Sequence, residues 1–438
     1  MGRARGGADR GRYRVSPGHP ALAARMRILI LTQYYPPETG APQNRLSDLA
    51  RRLKRRGHKV TVLTAMPNYP RGRVFEGYGG RARLEETIEG IRVVRTWVYA
   101  REGAGFSFAR RLLSYLSFCA SSFAFGWSKT GPLDVVIVES PPLFLGLSGW
   151  LISRLRRAAM VMNVSDLWPR SAVEMGLLHD RRLVSLATAL EEFLYRRSSL
   201  ITGQARGILD DIRLRFPDKP VTLITNGVEL ESYAPAPTGS RVREQLSLGR
   251  RFVVGYAGLH GIAQGLDVLI EAARLIAAGG DADVCFLLVG DGPDKARLQG
   301  RAGSAGLRNV LFLPPVPHRE MPEVFAAFDV AVVPLKRLDV FKGVLPSKLF
   351  EAMAAGRPVI ASVDGEVREI VEAANGGLYV EPERPDLMAA AITRLYRNPA
   401  ERQALGANAR EYVIRHFDRE KIAESFERSL IETLGQRR

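Results

Sequence analysis

The sequence predicts an α/β protein made of two tandem, doubly wound Rossmann-like domains. Short apolar runs alternate with stretches whose apolar residues recur at helical spacing, and this alternation indicates parallel sheets covered by helices. It begins at Met26 and restarts at Phe252, after the segment ITNGVELESYAP. Each half opens with a strand, a glycine-containing loop and a helix, which is the arrangement that presents backbone N–H groups to phosphate.

These two strand–loop–helix units divide the chain into two domains. We expect an N-terminal domain at residues 26–215, a C-terminal domain at 216–414, and a last helix at 415–438 that packs back on the N-terminal domain. Residues 1–25 contain six Arg, one Asp and no long apolar run, which fits neither a secretory signal nor a buried element. We expect this segment to be a disordered basic extension or an artefact of an upstream start codon.

The first βαβ unit begins with an apolar strand at residues 28–32, which ends in the loop QYYPPETGAPQ. The helix after it carries Leu46, Leu49, Ala50 and Leu53 on one face, and the strand VTVLT follows. Further strands of this half are expected at residues 93–97, 135–138, 160–164 and 200–203.

The second half repeats the order. Its strands are expected at residues 252–257, 284–289, 310–313, 330–334 and 358–361. Between the last two lies PSKLFEAMAAG, a short helix with Pro346 in its first turn and Gly356 as its stop.

Composition limits the function classes. The net charge of +17 comes mostly from Arg spread along the chain, without an RNP-like motif, a zinc finger or a basic zipper. We therefore expect phosphate and membrane partners rather than nucleic acid. The two cysteines, Cys119 and Cys285, and the scattered histidines have no metal-ligand spacing, so we expect no metal, no cofactor and a reducing compartment.

Three loops at strand ends are candidate binding sites. Gly40 in the first loop could let a ligand approach the backbone, or the loop could be an ordinary turn. Gly258 and His260 in GLHG, and Gly290 in GDGP, precede helices, but neither loop is a Walker A or a full G-x-G-x-x-G motif. Asp166, just beyond a strand, could hold a sugar hydroxyl or only cap a turn.

The PSKLFEAMAAG helix carries two charged residues in an apolar, alanine-rich context. Lys348, the N-terminal N–H groups and the helix dipole suit a diphosphate, and Glu351 one turn later could accept hydrogen bonds from a ribose. A solvated helix face is the other interpretation, and the alanines after Glu351 argue against it.

Two apolar segments raise the question of a membrane. Residues 105–127 are interrupted by Arg110 and Arg111, and residues 143–152 are followed by Arg154, Arg156 and Arg157. The interruptions exclude a spanning helix, so each segment is a core helix or an interfacial helix with its basic residues at the headgroups. The high net charge favours peripheral attachment at the cytoplasmic face of the membrane.

From Met26 to about residue 425 the chain resembles the family-four glycosyltransferases with the GT-B fold. The resemblance is carried by YYPPETGAPQNRLSDLARRLKRRGHKVTVLT, DLWPRSAVEMG, NGVE, GYAGLHGIAQGLDVLIEA, LVGDGP and PSKLFEAMAAGRPVIAS. The wording is similar to the branch that transfers N-acetylated deoxyhexosamines, such as fucosamine, in O-antigen and capsule assembly.

The resemblance implies a UDP-sugar donor on the C-terminal domain and a polyprenyl-diphosphate-linked sugar acceptor on the N-terminal one, across a cleft. It places Asp166, Lys348 and Glu351 among the catalytic residues. The implied donor-binding residues, from the wall near the sugar to the diphosphate, ribose and nucleoside, are Gly40, Gly258, His260, Gly290, Val316, Leu345, Lys348 and Glu351.

The chain departs from the family pattern at three positions. Gly343 stands where the first of two paired glutamates is common, and Leu259 and Gln264 replace an Arg and a Lys. Neutralisation of a diphosphate would then depend on His260, Lys348 and Lys342.

The resemblance also implies retention at the anomeric carbon, without a metal or a covalent nucleophile. Two other functions stay open at this point. One is a non-hydrolysing UDP-N-acetylglucosamine 2-epimerase, which shares the fold, and the other is a basic nucleic-acid-binding protein.

Overall fold

The computed structural model describes residues 25–38, 40–69, 72–101, 108–174, 176–233 and 241–435. The expected N-terminal extension, residues 1–24, and the start of the first apolar segment, residues 105–107, lie outside the described residues.

The N-terminal half forms an eight-stranded sheet in the order β3-β4-β2-β1-β5-β6-β7-β8, with only the β3–β4 pair antiparallel. Its elements are β1 (Arg27–Leu31), α1 (Ala41–Arg55), β2 (Lys59–Ala65), β3 (Arg83–Ile88), β4 (Ile91–Thr96), α2 (Phe108–Ser121), β5 (Val135–Ser140), α3 (Leu145–Arg156), β6 (Ala159–Val164), α4 (Arg170–Glu174), α5 (Arg181–Arg197), β7 (Leu200–Gly203), α6 (Arg206–Arg215) and β8 (Val221–Leu223).

The C-terminal half forms a six-stranded parallel sheet in the order β11-β10-β9-β12-β13-β14. Its elements are α7 (Arg241–Gln245), β9 (Phe252–Ala257), α8 (Asp267–Ala278), β10 (Val284–Val289), α9 (Lys295–Ser304), β11 (Val310–Leu313), α10 (Met321–Ala326), β12 (Val330–Pro334), α11 (Ser347–Ala354), β13 (Val359–Ser362), α12 (Glu366–Ala373), β14 (Gly377–Tyr379), α13 (Pro385–Arg397), α14 (Pro399–His416) and α15 (Arg419–Gly435).

The predicted fold class, two doubly wound α/β domains, is confirmed. Three strands had no clear sequence signal. β3 is an antiparallel edge strand that alternates between exposed and half-buried residues, and β8 and β14 have three residues each. Because β8 pairs with β7, the first sheet continues past residue 215, and the domain boundary lies beyond Leu223.

The last helix, α15, contacts α1 through a cluster of ion pairs. Arg52 Nη1 lies 2.5 Å from a Glu420 oxygen, and Arg56 pairs with both Glu420 and Glu427. His58 Nδ1 accepts the Met26 N–H at 3.2 Å, so the other ring nitrogen donates to buried Glu427 at 2.7 Å. The C-terminal end of the chain is thereby joined to the N-terminal domain.

Two further contacts join segments that follow strand ends in the two sheets. Asn226 Nδ2 donates to the Leu345 carbonyl at 2.9 Å, and Gly207 N–H at the start of α6 donates to Glu366 at 2.6 Å. Because these four residues follow β8, β12, β7 and β13, the carboxyl edges of the two sheets face each other. In open α/β sheets this edge is where ligands bind.

Candidate active site

On the C-terminal side, the floor of the cleft between the two domains is formed by two glycine-containing loops whose backbones are in contact. Gly258 follows β9 with φ +138°, and Gly290 follows β10 with φ +144°. A Cβ on Gly290 would lie 1.9 Å from the Gly258 carbonyl oxygen, so a side chain is excluded there. Glycine is needed at both positions, because both have positive φ and Gly290 leaves no room for a Cβ.

The helix α11 begins directly above this floor. Pro346 is its N-cap residue, one position before the first turn in which the sequence placed it, and Gly356 follows the helix end with φ +68°. All residues from Leu349 to Ala354 are buried, including Glu351 at 6% exposure. The interpretation of α11 as a solvated helix face is therefore wrong.

Lys348 reaches back from α11 to strand β9. Its Nζ donates to the Tyr256 hydroxyl at 2.7 Å and lies 3.9 Å from the centre of that ring. The Tyr256 hydroxyl donates to the Leu259 carbonyl at 2.6 Å, which ties the lysine to the first glycine loop. Burial lowers the pKa of Lys348 to about 7, so an anion placed beside it would stabilise its protonated form.

Glu351 lies one turn along α11 and is shielded from water. Burial raises its pKa to about 7, against the opposing effects of Arg419 and Lys348. His318, in the loop after β11, places Nδ1 3.9 Å from the Glu351 carboxylate. Arg419 comes from the start of α15, so the charge of Glu351 depends on three separate segments of the chain.

His260 is completely buried, and neither ring nitrogen has a hydrogen-bond partner among the described residues. Its backbone is fixed, since its N–H donates to the Asp291 carbonyl at 2.8 Å and its own carbonyl accepts from Asp294 at 3.0 Å. Burial, together with Lys295 and Lys348, lowers the pKa of His260 to about 4. The neutral ring thus has a donor and an acceptor left for a ligand.

Three further residues that the resemblance assigned to the donor differ in exposure and in their partners. Val316 is half-buried in the loop that leads to His318, and it packs against the main core. Leu345 is buried, and its carbonyl accepts the hydrogen bond from Asn226. Lys342 is exposed and pairs with Asp339 at 2.7 Å, so part of its charge is already balanced.

Gly343, which replaces a common glutamate, lies beside the other domain. A Cβ built on Gly207 would come within 4.0 Å of the Gly343 Cα. The nearby carboxylate of Glu366 accepts from the Gly207 N–H, as described above, and therefore serves the interface between the domains.

On the N-terminal side, the loop that carries Gly40 is held by the buried carboxylate of Glu38. It accepts hydrogen bonds from the N–H groups of Tyr35 at 3.1 Å, Asn68 at 2.7 Å and Tyr69 at 2.8 Å. Gly40 is the N-cap of α1 and follows the carboxyl end of β1, at the edge of the sheet that faces the C-terminal domain.

Asp166 is used within its own loop. Its carboxylate accepts from Ser171 Oγ at 2.7 Å, and burial raises its pKa. Within the described ranges, no hydrogen bond or ion pair joins Asp166 to the cluster around Lys348. Of the two interpretations drawn from the sequence, this geometry favours turn capping.

A buried polar network beside Asp166 was missed by the sequence reasoning. Arg45 Nη2 lies 2.6 Å from Glu139 and 2.9 Å from Ser165 Oγ, and Nη1 donates to Asn226 at 3.3 Å. Glu139 also accepts from Asn163. The sequence signalled it only through the polar residues at the ends of two apolar strands, because Arg45 is more than 90 residues from each of its partners along the chain.

The five arginines of the two apolar segments differ in exposure. Arg110 and Arg111 on α2, and Arg154 and Arg157 at the end of α3, are exposed. Arg156 instead donates to the Trp127 carbonyl at 3.1 Å and lies 5.1 Å from the Trp127 ring centre. Arg156 is half-buried and is held by Trp127, so it differs from the four exposed arginines.

Two features are absent from the described ranges. No helix there is long and apolar enough to cross a bilayer. No group of three or more His, Cys, Asp or Glu side chains in that part of the chain is arranged to hold a metal ion.

Comparison with known families decides the class. Residues 40–227 match the model of the glycosyl transferase 4-like domain, and residues 241–412 match that of glycosyl transferases group 1. The chain is a family-four glycosyltransferase. It has the GT-B fold, as the resemblance implied.

Relatives of this glycosyltransferase cover nearly its whole length. The putative colanic acid biosynthesis glycosyl transferase WcaI of Escherichia coli K12 is 28% identical to this chain. The match covers 92% of the present chain and 98% of WcaI. The sucrose-phosphate synthase of Thermosynechococcus elongatus superimposes with a TM-score of 0.72 at 20% identity, over 94% and 100% of the two chains. Anabaena HepE, solved with UDP-glucose, superimposes with a TM-score of 0.68 at 20% identity. This match also covers 94% of the present chain and 100% of the HepE chain.

The hydrogen bond between Tyr256 and Lys348 can be tested by substitution. Replacing Tyr256 with Phe removes the oxygen that holds Lys348 and keeps the ring. Transferase turnover should fall about 10- to 100-fold, the range for a hydrogen bond to a charged group. Steady-state kinetics measures the turnover, and thermal unfolding checks that the variant is folded. The matched control is Tyr396→Phe, whose ring packs on Phe252 in the same domain. Equal turnover in both variants would mean that Tyr256 does not position Lys348.

Proposed function

We propose that this glycosyltransferase moves a sugar, an N-acetylated hexosamine or deoxyhexosamine, from a UDP-sugar to a polyprenyl-diphosphate-linked acceptor in surface polysaccharide synthesis, with retention and without a metal. The observation that carries the proposal is the group formed by Lys348, Tyr256 and the unpartnered ring of His260 above two glycine loops. The donor occupies the C-terminal domain and the acceptor the N-terminal one.

The donor site is argued from charge and geometry. A diphosphate at the start of α11 would meet the Lys348 ammonium, the N-terminal N–H groups of the helix and the His260 ring. Glu351, one turn further into the helix, would accept hydrogen bonds from the ribose hydroxyls. Gly290 and Val316 line the path toward the nucleoside. HepE, of the same fold, has been solved with UDP-glucose, which supports a uridine nucleotide.

Catalysis follows from the same groups. When the bond between the anomeric carbon and the diphosphate breaks, negative charge develops on the leaving oxygen. Fixed donors in a site shielded from water stabilise that charge more than they stabilise the bound substrate. The acceptor hydroxyl would attack from the face that the diphosphate leaves and give its proton to the departing diphosphate oxygen, with Gly40 and the Asp166 loop as the opposing wall.

Surface polysaccharide synthesis is supported by the relative WcaI, whose name places it in colanic acid biosynthesis and whose similarity spans both domains.

The function is tested by product analysis. The purified protein is incubated, in EDTA, with a panel of UDP-sugars and a sugar linked to polyprenyl diphosphate, and the products are read by mass and by anomeric configuration. Transfer of one sugar with retention is the expected result. Epimerisation of UDP-N-acetylglucosamine without any acceptor would contradict the proposal, and a requirement for added manganese or magnesium would contradict its metal-independent form.

Lys348 and Glu351 should respond differently to substitution. Lys348→Ala removes a donor that acts mainly in the transition state, so turnover should fall roughly 10²–10³-fold, on the scale of a lost oxyanion donor. Glu351→Ala removes a ribose contact that is equal in ground and transition states, so the donor KM should rise with little change in kcat. Steady-state kinetics with varied UDP-sugar separates the two. Two folded variants with normal kinetics would exclude this donor site.

We further propose that the protein attaches to the cytoplasmic face of an anionic membrane through Arg110, Arg111, Arg154 and Arg157. Each basic residue near such a surface contributes about 1 kcal/mol, so changing all four to Gln should weaken vesicle binding by about two to three orders of magnitude. Co-sedimentation with anionic vesicles measures this. The control is the same change at four exposed C-terminal-domain residues, Arg241, Arg250, Arg308 and Arg319. Equal loss in both sets would show a non-specific charge effect.

A further inference from the structure

A chain of buried hydrogen bonds links the N-terminal sheet to the segment that precedes α11. It starts at Glu139, near the carboxyl end of β5, which pairs with Arg45 of α1 at 2.6 Å. Arg45 Nη1 donates to Asn226 Oδ1 at 3.3 Å, and Asn226 Nδ2 donates to the Leu345 carbonyl at 2.9 Å. Asn226 therefore uses both atoms of its amide, one toward each domain.

The members of this chain are shielded from water. Arg45 and Asn226 are each 8% exposed, and Glu139 is 3% exposed. Hydrogen bonds to charged groups are strong, and a surrounding of low dielectric constant strengthens them further. Glu139 also accepts hydrogen bonds from Asn163 and Ser165, so a movement of this carboxylate would break several contacts at once. The arginine end of the chain is thus fixed in the N-terminal domain.

The other end of the chain holds the helix that carries Lys348. Leu345 is buried and lies two positions before Ser347, where α11 begins. Lys348 is held at 2.7 Å by Tyr256 of the C-terminal domain. The start of α11 is therefore held from both sides, by the C-terminal domain through Lys348 and by the N-terminal domain through the Leu345 carbonyl.

Sugar transfer makes two different demands on α11. The proposed diphosphate and ribose contacts, from Lys348, His260 and Glu351, all belong to the C-terminal domain, so donor binding does not need the link through Asn226. Transfer also requires that the acceptor, on the N-terminal domain, meets the anomeric carbon at the correct distance and direction. A misplacement of about 1 Å can slow a reaction about 100-fold. A hydrogen-bonded link between the acceptor domain and α11 is suited to setting that distance.

We propose that Asn226 and Arg45 are positioning residues, which set the start of α11 relative to the N-terminal domain and thereby control transfer rather than donor binding. The inference rests on the proposed function, because it takes the donor diphosphate to lie at the start of α11. It concerns two residues outside the proposed donor site.

Asn226→Asp tests the link with the smallest change of shape. The carboxylate can still accept from Arg45, but it has no N–H for the Leu345 carbonyl. The kcat of transfer should fall about 10- to 100-fold because the two substrates lose their mutual orientation. UDP affinity, measured by calorimetry on the full-length protein, should be retained. A loss of UDP affinity as large as the loss of kcat would mean that Asn226 only supports the fold of the donor site, and would overturn the proposal.

Asn309→Asp is the matched control. Asn309 is half-buried, and its Nδ2 donates to the Ala273 carbonyl at 3.3 Å. It directly precedes β11, at the amino edge of the sheet and thus opposite the cleft. This variant loses the same kind of hydrogen bond in the same way, so its kcat should stay at the wild-type value. Equal losses of kcat in the two variants would show a general effect of the substitution and overturn the proposal.

Arg45→Lys tests whether the two residues act through one link. Lysine keeps a positive charge beside Glu139, but it lacks the second nitrogen with which Arg45 reaches Asn226. Its kcat should fall while UDP affinity is retained. The double variant, Arg45→Lys with Asn226→Asp, should lose little more than Asn226→Asp alone, because residues in one network are not additive. Losses that multiply would show two independent effects and exclude the link.

Hydrogen exchange separates this inference from the proposed function. Amide exchange of residues 341–349 is followed by mass spectrometry on the full-length protein without substrates. Exchange should be faster in Asn226→Asp than in the wild type, because the Leu345 carbonyl has lost its partner. Unchanged exchange would overturn the link, whichever sugar and acceptor the enzyme uses. Faster exchange in the variant, with no transfer by the wild type to any polyprenyl-linked acceptor, would support the link and contradict the proposed function.

Discussion

The backbone contact between the two glycine loops is the constraint on which the C-terminal site depends. Gly290 approaches the Gly258 carbonyl so closely that no side chain fits, and a Cβ on Gly258 would itself meet Lys348 Nζ at 2.9 Å. The loops after β9 and β10 therefore form a thin floor, and α11 can start directly above it. The lysine, the tyrosine that holds it and the buried histidine come together there because Gly258 and Gly290 carry no side chains.

The chemistry of the site comes from burial rather than from a high density of charge. The net charge of the chain is +17, yet the two charged residues of α11 are a half-buried lysine and a buried glutamate. Shielding from water moves both pKa values toward neutrality, so each group responds strongly to the charge of a ligand. The losses of Arg and Lys at Leu259 and Gln264 leave Lys348 with a larger share of the proposed electrostatic work.

The two domains are joined by polar contacts that lie close to the cleft. Asn226 links the Arg45 network to the carbonyl of Leu345, immediately before α11, and Glu366 receives the first N–H groups of α6. The last helix adds ion pairs to α1 and supplies Arg419, which influences Glu351. Hydrogen bonds of this kind are directional, so they fix the orientation of facing loops better than apolar packing would.

The sequence by itself determined the fold class, most strands and the candidate status of Gly258, His260, Lys348 and Glu351. Strands buried on both faces read as continuous apolar runs, and this is a local property. Charged residues within an apolar helix can also be recognised from the sequence alone.

The partners of those residues were decided only by the tertiary structure. Tyr256 lies 92 residues from Lys348 along the chain, and His318 and Arg419 approach Glu351 from other segments. The hydrogen bond from Ser171 to Asp166, the contact of Arg156 with Trp127 and the exposure of Leu183 and Leu186 also appear only after folding. Periodicity reports which side of an element is apolar, whereas the neighbours that cover that side, or leave it open, are set by the packing of distant elements.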